Sequence, residues 1–431
     1  MKKHHRLTTK VNFMQIQEPF NPENKPPFWQ IFTAAPHRMM FFAGAVQLIL
    51  PLLLWSIEII GRYTELWEPL DILIPATWAH GFIMLHGVFI FFIFGFLMTV
   101  YPRWMNATEV SKDAYISTFI CLSAGILMFE VGIFFKLSIA LSGLAIFLFG
   151  WALGGWTLYK TFRDSAATSK HYEVIINTAL IMGWISAASF FAYLLTDNWL
   201  YQAFSLKAGL WLFLLPLLFT VAHRMLPFFS SNIISDYKIF NPRWTLHIML
   251  ISSAGHLILE SLHFNQWLFL TDLPLAYVAL LHSFKWRFID SFKDRLLAVL
   301  HMAFLWLGIG MLLFSLQSIV LLFSNELIFN KAPLHALSIG FFSSLLIAMA
   351  SRVSLGHSGR MLILDSIAWA LFLGLQLAAI FRILADSNLE NSFGSYSFNI
   401  LASLIWLACM SIWFIRFAPF YLTRRADGNP G

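Results

Sequence analysis

The chain alternates long apolar runs with short polar connections along almost its whole length. A helix needs about 20 apolar residues to cross the hydrocarbon core of a bilayer. Twelve runs are long enough, and they fall at 39–61, 76–101, 113–135, 137–159, 174–196, 203–225, 244–264, 266–284, 295–324, 333–351, 361–384 and 397–419. Since a helix satisfies its own backbone hydrogen bonds in lipid, the pattern predicts an all-α, polytopic membrane protein with about 12 transmembrane helices.

The composition supports this fold class. Of the 431 residues, 59% are hydrophobic and 12% are charged, with 45 Phe and 17 Trp. A soluble domain does not need so much apolar surface, so the excess is expected to face lipid. A transmembrane β-barrel would show alternating segments of about 10 residues instead of long unbroken runs. The two cysteines, Cys121 and Cys409, each lie alone in an apolar run, which excludes a cysteine-rich metal site.

Lysine and arginine fall mainly on one side of the predicted membrane. The side of the chain termini contains 23 of the 28 basic residues, and the opposite side contains 5. By the positive-inside rule both termini are cytoplasmic. The net charge of +6 follows from this topology and does not indicate nucleic-acid binding. We therefore expect a cytoplasmic N-terminal segment at 1–38, a membrane domain at 39–419 and a cytoplasmic tail at 420–431.

Two histidines near the start of different spans are the first candidates for chemistry. His80 lies at the start of the second span and His335 at the start of the tenth, and both spans are entered from the outer side. At about 1.5 Å per residue, both imidazoles should lie at a similar depth in the outer part of the membrane. Two such imidazoles could ligate one haem iron from opposite faces. The alternative is that each bonds a carbonyl or an interfacial water at its helix entrance.

The second span contains a further histidine, His86, which is expected to point elsewhere. It lies about 9 Å deeper than His80 and roughly 120° around the helix, so the two should not share a metal. His86 could serve a second centre, or hydrogen-bond a haem propionate or a carbonyl.

The seventh span carries His256, Glu260 and His263. Spacings of four and three residues place these side chains on one helical face. Histidines and a carboxylate on one face could bind a divalent metal or relay protons. The alternative is a polar stripe that packs against another helix with internal hydrogen bonds.

A short predicted loop on the cytoplasmic side, SRVSLGHSGR, contains Arg352, His357 and Arg360. Its glycines and arginines could bind an anion such as a haem propionate. The alternative is that the two arginines anchor the topology.

Three segments carry a resemblance to a known family. They are WAHGFIMLHGVFIFFIFGFLMTVYPRW in the second span, HRMLPFFSSNI after the sixth, and LHALSIGFFSSLLIAMASRVSLGHSGR in the tenth. With them the chain resembles the NnrS family, the haem- and copper-containing membrane proteins of the nitric oxide response. The resemblance covers nearly the whole chain and implies twelve spans, haem, copper and a role in nitrosative stress tolerance. Phe82 and Ile83 stand where the family often has a second histidine and a glutamate.

The second and tenth spans also resemble, more weakly, helices of the catalytic subunits of haem–copper oxidases and nitric oxide reductases. In that superfamily these helices supply the axial histidines of a low-spin haem, and His80 and His335 match the two positions. The resemblance thus implies His80 and His335 as axial haem ligands in a bundle similar to that of haem–copper oxidases. The superfamily's adjacent histidine pair is absent, so a binuclear reducing centre is not expected.

The resulting hypothesis is a bacterial inner-membrane haemoprotein of the NnrS type, with nitric oxide and an electron donor as further partners. Whether the protein is an enzyme is left open. One alternative is a secondary transporter, for which twelve spans are also typical, although its site would lie near the midplane and the histidines here gather toward the faces. The other is a haem or metal assembly factor whose histidines hold haem transiently.

Overall fold

The computed structural model describes residues 27–386 and 397–428, and within them every regular element is a helix. A short helix, Phe28–Phe32, precedes twelve long ones. In chain order the long helices are α1 (Pro36–Tyr63), α2 (Ala76–Trp104), α3 (Lys112–Phe135), α4 (Leu137–Asp164), α5 (His171–Thr196), α6 (Trp199–Ile233), α7 (Arg243–Ser261), α8 (Asn265–Lys285), α9 (Arg295–Ser324), α10 (Ala332–His357), α11 (Ser366–Leu384) and α12 (Ser397–Leu422). The all-α fold class predicted from the apolar runs is confirmed.

Eleven of these helices, all except α7, are long and apolar enough to cross a membrane, among the residues that the structure describes. Helix α7 has 19 residues, but His247, His256 and Glu260 lower its mean hydropathy. The first and last long helices nevertheless lie close together, as an even number of membrane helices would place them. Arg38 at the start of α1 donates from Nη2 to the carbonyl of Thr423, just beyond α12, at 2.8 Å. The start of α1 and the end of α12 therefore lie at the same end of the bundle, as twelve helices of alternating direction, with α7 among them, would place them.

The centre of the bundle consists of α2, α6, α9 and α10. In their most apolar stretches 67–78% of the residues are buried inside the protein, whereas the other candidate spans bury 33–50%. The outer helices therefore expose much of their apolar surface, as lipid contact requires. Two of them, α3 and α4, pack backbone to backbone through glycines, because a Cβ at Gly125 or Gly143 would meet the facing main chain.

Three central helices contain a π-helical segment, in which the backbone turn is wider than in an α-helix. The segments are Ile83–Val88 in α2, Gly209–Leu214 in α6 and Ala336–Ser343 in α10. In two of these segments, a serine hydroxyl donates a hydrogen bond to a backbone carbonyl. Ser343 donates to the Ser338 carbonyl at 2.7 Å, and Ser253 of α7 donates to the Trp211 carbonyl. Such turns often occur at functional sites.

Some boundaries differ from the sequence prediction. Helix α10 continues to His357, so Arg352 and His357 are helical rather than in the predicted loop, and only Arg360 lies beyond the helix end. Helix α7 ends at Ser261, so the predicted stripe does not extend to His263. His263 follows the helix with a left-handed φ of 62° and is exposed. Residues 1–26 of the predicted N-terminal segment and 429–431 of the predicted tail lie outside the described residues.

Candidate functional site

A cavity of about 400 Å³ lies among α2, α6, α7, α9 and α10, at the end of the bundle opposite the chain termini. This volume is within the range of small-molecule and cofactor pockets, which is about 300–1,000 Å³. Most of the cavity wall is apolar. Its side chains include His80, Met84, Trp211, His256, Phe314 and His335. Three of the histidines singled out in the sequence therefore line one cavity, although they come from three helices.

His335 lies in the first turn of α10 and is half-buried. Its Nδ1 lies 2.9 Å from the carbonyl of Lys331. Because a carbonyl only accepts, Nδ1 carries the proton, and Nε2 keeps its lone pair. A backbone bond at one ring nitrogen is the usual way to orient the other nitrogen toward a metal.

His80 lies in the second turn of α2, and its ring stacks on Trp55 of α1 with 4.1 Å between the ring centroids. Its Nδ1 is buried and has no hydrogen-bond partner in the described part of the chain. The imidazoles of His80 and His335 are close enough to interact electrostatically. The stack with Trp55 holds the His80 ring in place, but this ring lacks the backbone bond that orients His335.

His256 of α7 is the most firmly positioned of the three imidazoles. Its Nδ1 lies 2.6 Å from Oδ1 of Asp272 on α8, and both side chains are fully buried. Trp211 stacks on the ring at a centroid distance of 3.7 Å, and Phe314 packs edge-on at 5.0 Å. The carboxylate holds Nδ1, and the two aromatic rings keep the imidazole plane from turning.

Charged groups surround the same cavity. Lys207 of α6 and Glu260 of α7 form an ion pair with 3.6 Å between Nζ and Oε1. Lys331 also lines the cavity, and Arg382 of α11 is close enough to interact electrostatically with both His80 and His335. Arg382 is paired with Asp386 at 2.7 Å. The cavity therefore combines apolar walls with imidazoles and cations.

His86 does not line this cavity. It is fully buried between α2, α5 and α6, where Nε2 lies 2.5 Å from Ser186 Oγ and Nδ1 lies 3.3 Å from the Phe82 carbonyl. A Cβ at Gly209 would come within 2.8 Å of the ring, so α6 packs directly against it. The carbonyl bond corresponds to one of the roles expected from the sequence, and the packing leaves His86 no access to the cavity.

Arg352, His357 and Arg360 lie at the other end of the bundle. Seventeen residues of helix separate His335 from Arg352, which is about 26 Å. The guanidinium of Arg352 stacks on Phe229 and that of Arg360 on Phe420, each 4.0 Å from the ring centroid. His357 packs against His37 at 4.6 Å. These three residues therefore lie too far from His80 and His335 to contact the same bound group.

Two parts of the site escaped the sequence analysis. The first is Asp272, an ionisable residue within the eighth predicted span. Its position could have indicated the site, because carboxylates inside a membrane commonly mark functional sites. The second is the set of three π-helical segments, each of which contributes residues to the cavity wall. Ser253 and Ser343 donate hydrogen bonds to backbone carbonyls of two of these segments. Serine occurs too often within membrane spans to predict a π-helical turn.

The arrangement can position imidazole nitrogens around a bound group, but it does not form a metal site from protein ligands alone. No group of three or more His, Cys, Asp or Glu side chains that could hold a metal ion occurs in residues 27–386 and 397–428. A group that brings its own ligands, as a porphyrin does, needs only one or two imidazoles from the protein. The cavity size, the Nε2 lone pair of His335 and the nearby cations fit a group of this kind.

Comparison with known proteins gives a match to a protein family. A family model described as NnrS protein matches residues 31–425, a range that includes all twelve long helices. No curated protein matches the chain.

Proposed function

Because the chain belongs to the NnrS family, we propose that it is a membrane haemoprotein of the nitric oxide response and of nitrosative stress tolerance. Haem would be held by His80 of α2 and His335 of α10. The observation that carries this proposal is that these two imidazoles line one cavity although they are 255 positions apart in the sequence. Lys331 and Arg382 would offset the charge of the propionates.

The bound group would supply the redox chemistry of haem iron. The residues of this chain hold and orient that group. His335 offers Nε2 because its Nδ1–H is bonded to Lys331, and His80 is held by its stack on Trp55. The apolar wall limits the access of water, which strengthens electrostatic interactions inside the cavity.

Copper is the second metal that the family resemblance implies. At this cavity His256 and Glu260 are the remaining candidate ligands, and His263 lies outside it. With only two ligands from the protein, a copper ion would need further ligands from outside this chain. We therefore propose haem, and not copper, as the group held by the side chains of this chain.

For the location we propose the bacterial inner membrane with both termini cytoplasmic. The support is the distribution of 23 basic residues on the side of the termini and 5 on the other side. The segment at 1–38 and the tail at 420–431 would then lie in the cytoplasm, and the cavity would lie toward the outer surface.

The test is a dithionite-reduced absorption spectrum of the purified protein, expressed with haem supply. We expect haem bands in the wild type, and a loss of haem of about tenfold or more in His80→Ala and His335→Ala, because each would remove an imidazole that is proposed to hold the group. His247→Ala is the matched control, since His247 is exposed and outside the cavity. A wild type without haem bands, or both variants with full bands, would contradict the proposal.

The same preparation separates a resident redox group from transient haem carriage. Haem held by two imidazoles should stay with the protein when an excess of an apo-globin is added. Rapid transfer to the globin would favour an assembly factor.

A further inference from the structure

The buried pair of His256 and Asp272 is not used by the proposed haem ligation. His256 lines the cavity, whereas Asp272 lies behind it on α8 and is fully buried. The Thr271 hydroxyl lies 3.2 Å from Oδ1 of Asp272 but donates its one proton to the Leu268 carbonyl at 2.9 Å, and Oδ2 has no hydrogen-bond partner among the described residues. The imidazole is therefore the donor that holds the carboxylate.

The pairing determines which nitrogen of His256 faces the cavity. With Nδ1 bonded to the carboxylate at 2.6 Å, the proton of the neutral ring lies on Nδ1. Nε2, on the opposite edge of the ring, keeps its lone pair. Trp211 and Phe314 prevent the ring from flipping. A carboxylate that orients an imidazole in this way also stabilises the imidazolium that forms when Nε2 takes a proton.

We propose that His256 exchanges a proton with the group bound in the cavity and that Asp272 is its positioning residue. In the forward step Nε2 accepts a proton from a protonated oxygen or nitrogen of the bound ligand, and the ring becomes an imidazolium paired with Asp272. In the reverse step Nε2–H returns that proton. The identity of the ligand rests on the proposed function, whereas the geometry of the pair does not.

Charged and titratable side chains surround His256, and they come from each helix at the cavity that has such a side chain. They are Lys207 on α6, Glu260 on α7, Asp272 on α8, His80 on α2, Lys331 just before α10 and His335 on α10, with Arg382 of α11 close to His80 and His335. Lys207 and Glu260 neutralise each other. Asp272 is therefore the anion that directly contacts the imidazole and offsets its positive charge.

The first test is modification by diethyl pyrocarbonate, which reacts with unprotonated imidazole nitrogens. Full-length protein expressed without added haem would be treated, digested and mapped by mass spectrometry. We expect His256 to react at least about tenfold faster than His86 and His223, whose ring nitrogens are buried and both hydrogen-bonded. A His256 that reacts no faster than these two would overturn the proposal, because Nε2 would then not face the cavity.

The second test replaces the positioning residue. In Asp272→Asn the amide can donate to Nδ1, which moves the ring proton to Nε2 and removes the reactive lone pair. We expect the reaction of His256 to slow by about 10- to 100-fold, and Asp272→Glu to recover most of the wild-type rate. Asp197→Asn is the control, because Asp197 is exposed at the end of α5 and its left-handed conformation suits asparagine.

Equal rates in the wild type and in folded Asp272→Asn would overturn the role of Asp272. If Asp272→Asn does not fold, the comparison of His256 with His86 and His223 in the wild type decides the proposal. Absorption spectra of the same proteins expressed with haem keep the two proposals apart. Absent haem bands would refute haem binding, while the reactivity of His256 would still report on the proton pair.

Discussion

Histidine side chains in this protein differ in how many ring nitrogens already have a partner. His256 and His335 line the cavity, and each bonds through Nδ1 and keeps a lone pair on Nε2. His86 and His223 bond through both nitrogens and are fully buried. Because a ligand or a proton can be taken only by a free nitrogen, the first pair is suited to chemistry and the second to packing.

His86→Ala tests this distinction at the residue scale. The change leaves a void and removes one of the two hydrogen-bond partners of Ser186, so we expect a loss of stability of about 2–4 kcal/mol. The haem content per folded molecule should remain that of the wild type, because His86 does not line the cavity. Thermal unfolding in detergent and the reduced spectrum measure the two effects. Loss of haem with unchanged stability would show that His86 serves the cofactor.

Helices α3 and α4 show how small residues determine contacts between elements. Gly125 of α3 lies against the backbone of Phe147 in α4, and Gly143 of α4 lies against the backbone of Phe129 in α3. The approach is so close that an added methyl group would meet main-chain atoms. Small residues at the interface are the usual basis of close helix packing in lipid, where the hydrophobic effect does not drive helices together.

Gly143→Ala should therefore separate α3 from α4. We expect a destabilisation of about 1–3 kcal/mol, because the facing backbone cannot move aside as a side chain can. Gly155→Ala in the same helix is the control, since nothing lies within 4 Å of a Cβ at that position. Thermal unfolding in detergent compares the two variants. Equal melting temperatures would contradict the tight glycine contact.

At the scale of the whole molecule, the first and last helices meet at one end of the bundle. Arg38 joins them through the carbonyls of Ile31 and Thr423, each at 2.8 Å. The cavity lies at the opposite end. The start of α1 and the end of α12 thus lie at one end of the bundle, and the cavity lies at the other.

Cysteine labelling in spheroplasts tests this topology. Asp71 lies in the connection before α2 and Ser169 in the connection before α5, and both are exposed. A membrane-impermeant maleimide should label Asp71→Cys in intact spheroplasts and Ser169→Cys only after permeabilisation. The parent protein, with Cys121 and Cys409 inside helices, gives the background. The reverse pattern would invert the proposed orientation.

Much of the fold could be predicted because each apolar run is sufficient to specify a membrane helix without contacts to the rest of the chain. Helix α9 was predicted at 295–324 and lies at Arg295–Ser324, since its length and hydropathy suffice to specify a membrane helix. Helix α10 was predicted to end six residues too early, because Arg352 and His357 look like loop residues in a linear pattern. In the structure Arg352 lies on Phe229 and His357 on His37, and these contacts between helices keep the last turns helical.

By itself the sequence determined the helical class, the approximate position of each helix and the similar depth of His80 and His335, because these depend on hydropathy and on distance along a helix. Only the tertiary structure decided that His256 joins them while His86 and His263 do not. The rotation of each helix and the three π-helical segments depend on packing against neighbours. The pairing of His256 with Asp272 likewise arises only where α7 meets α8, and that contact gives the cavity its best-oriented imidazole.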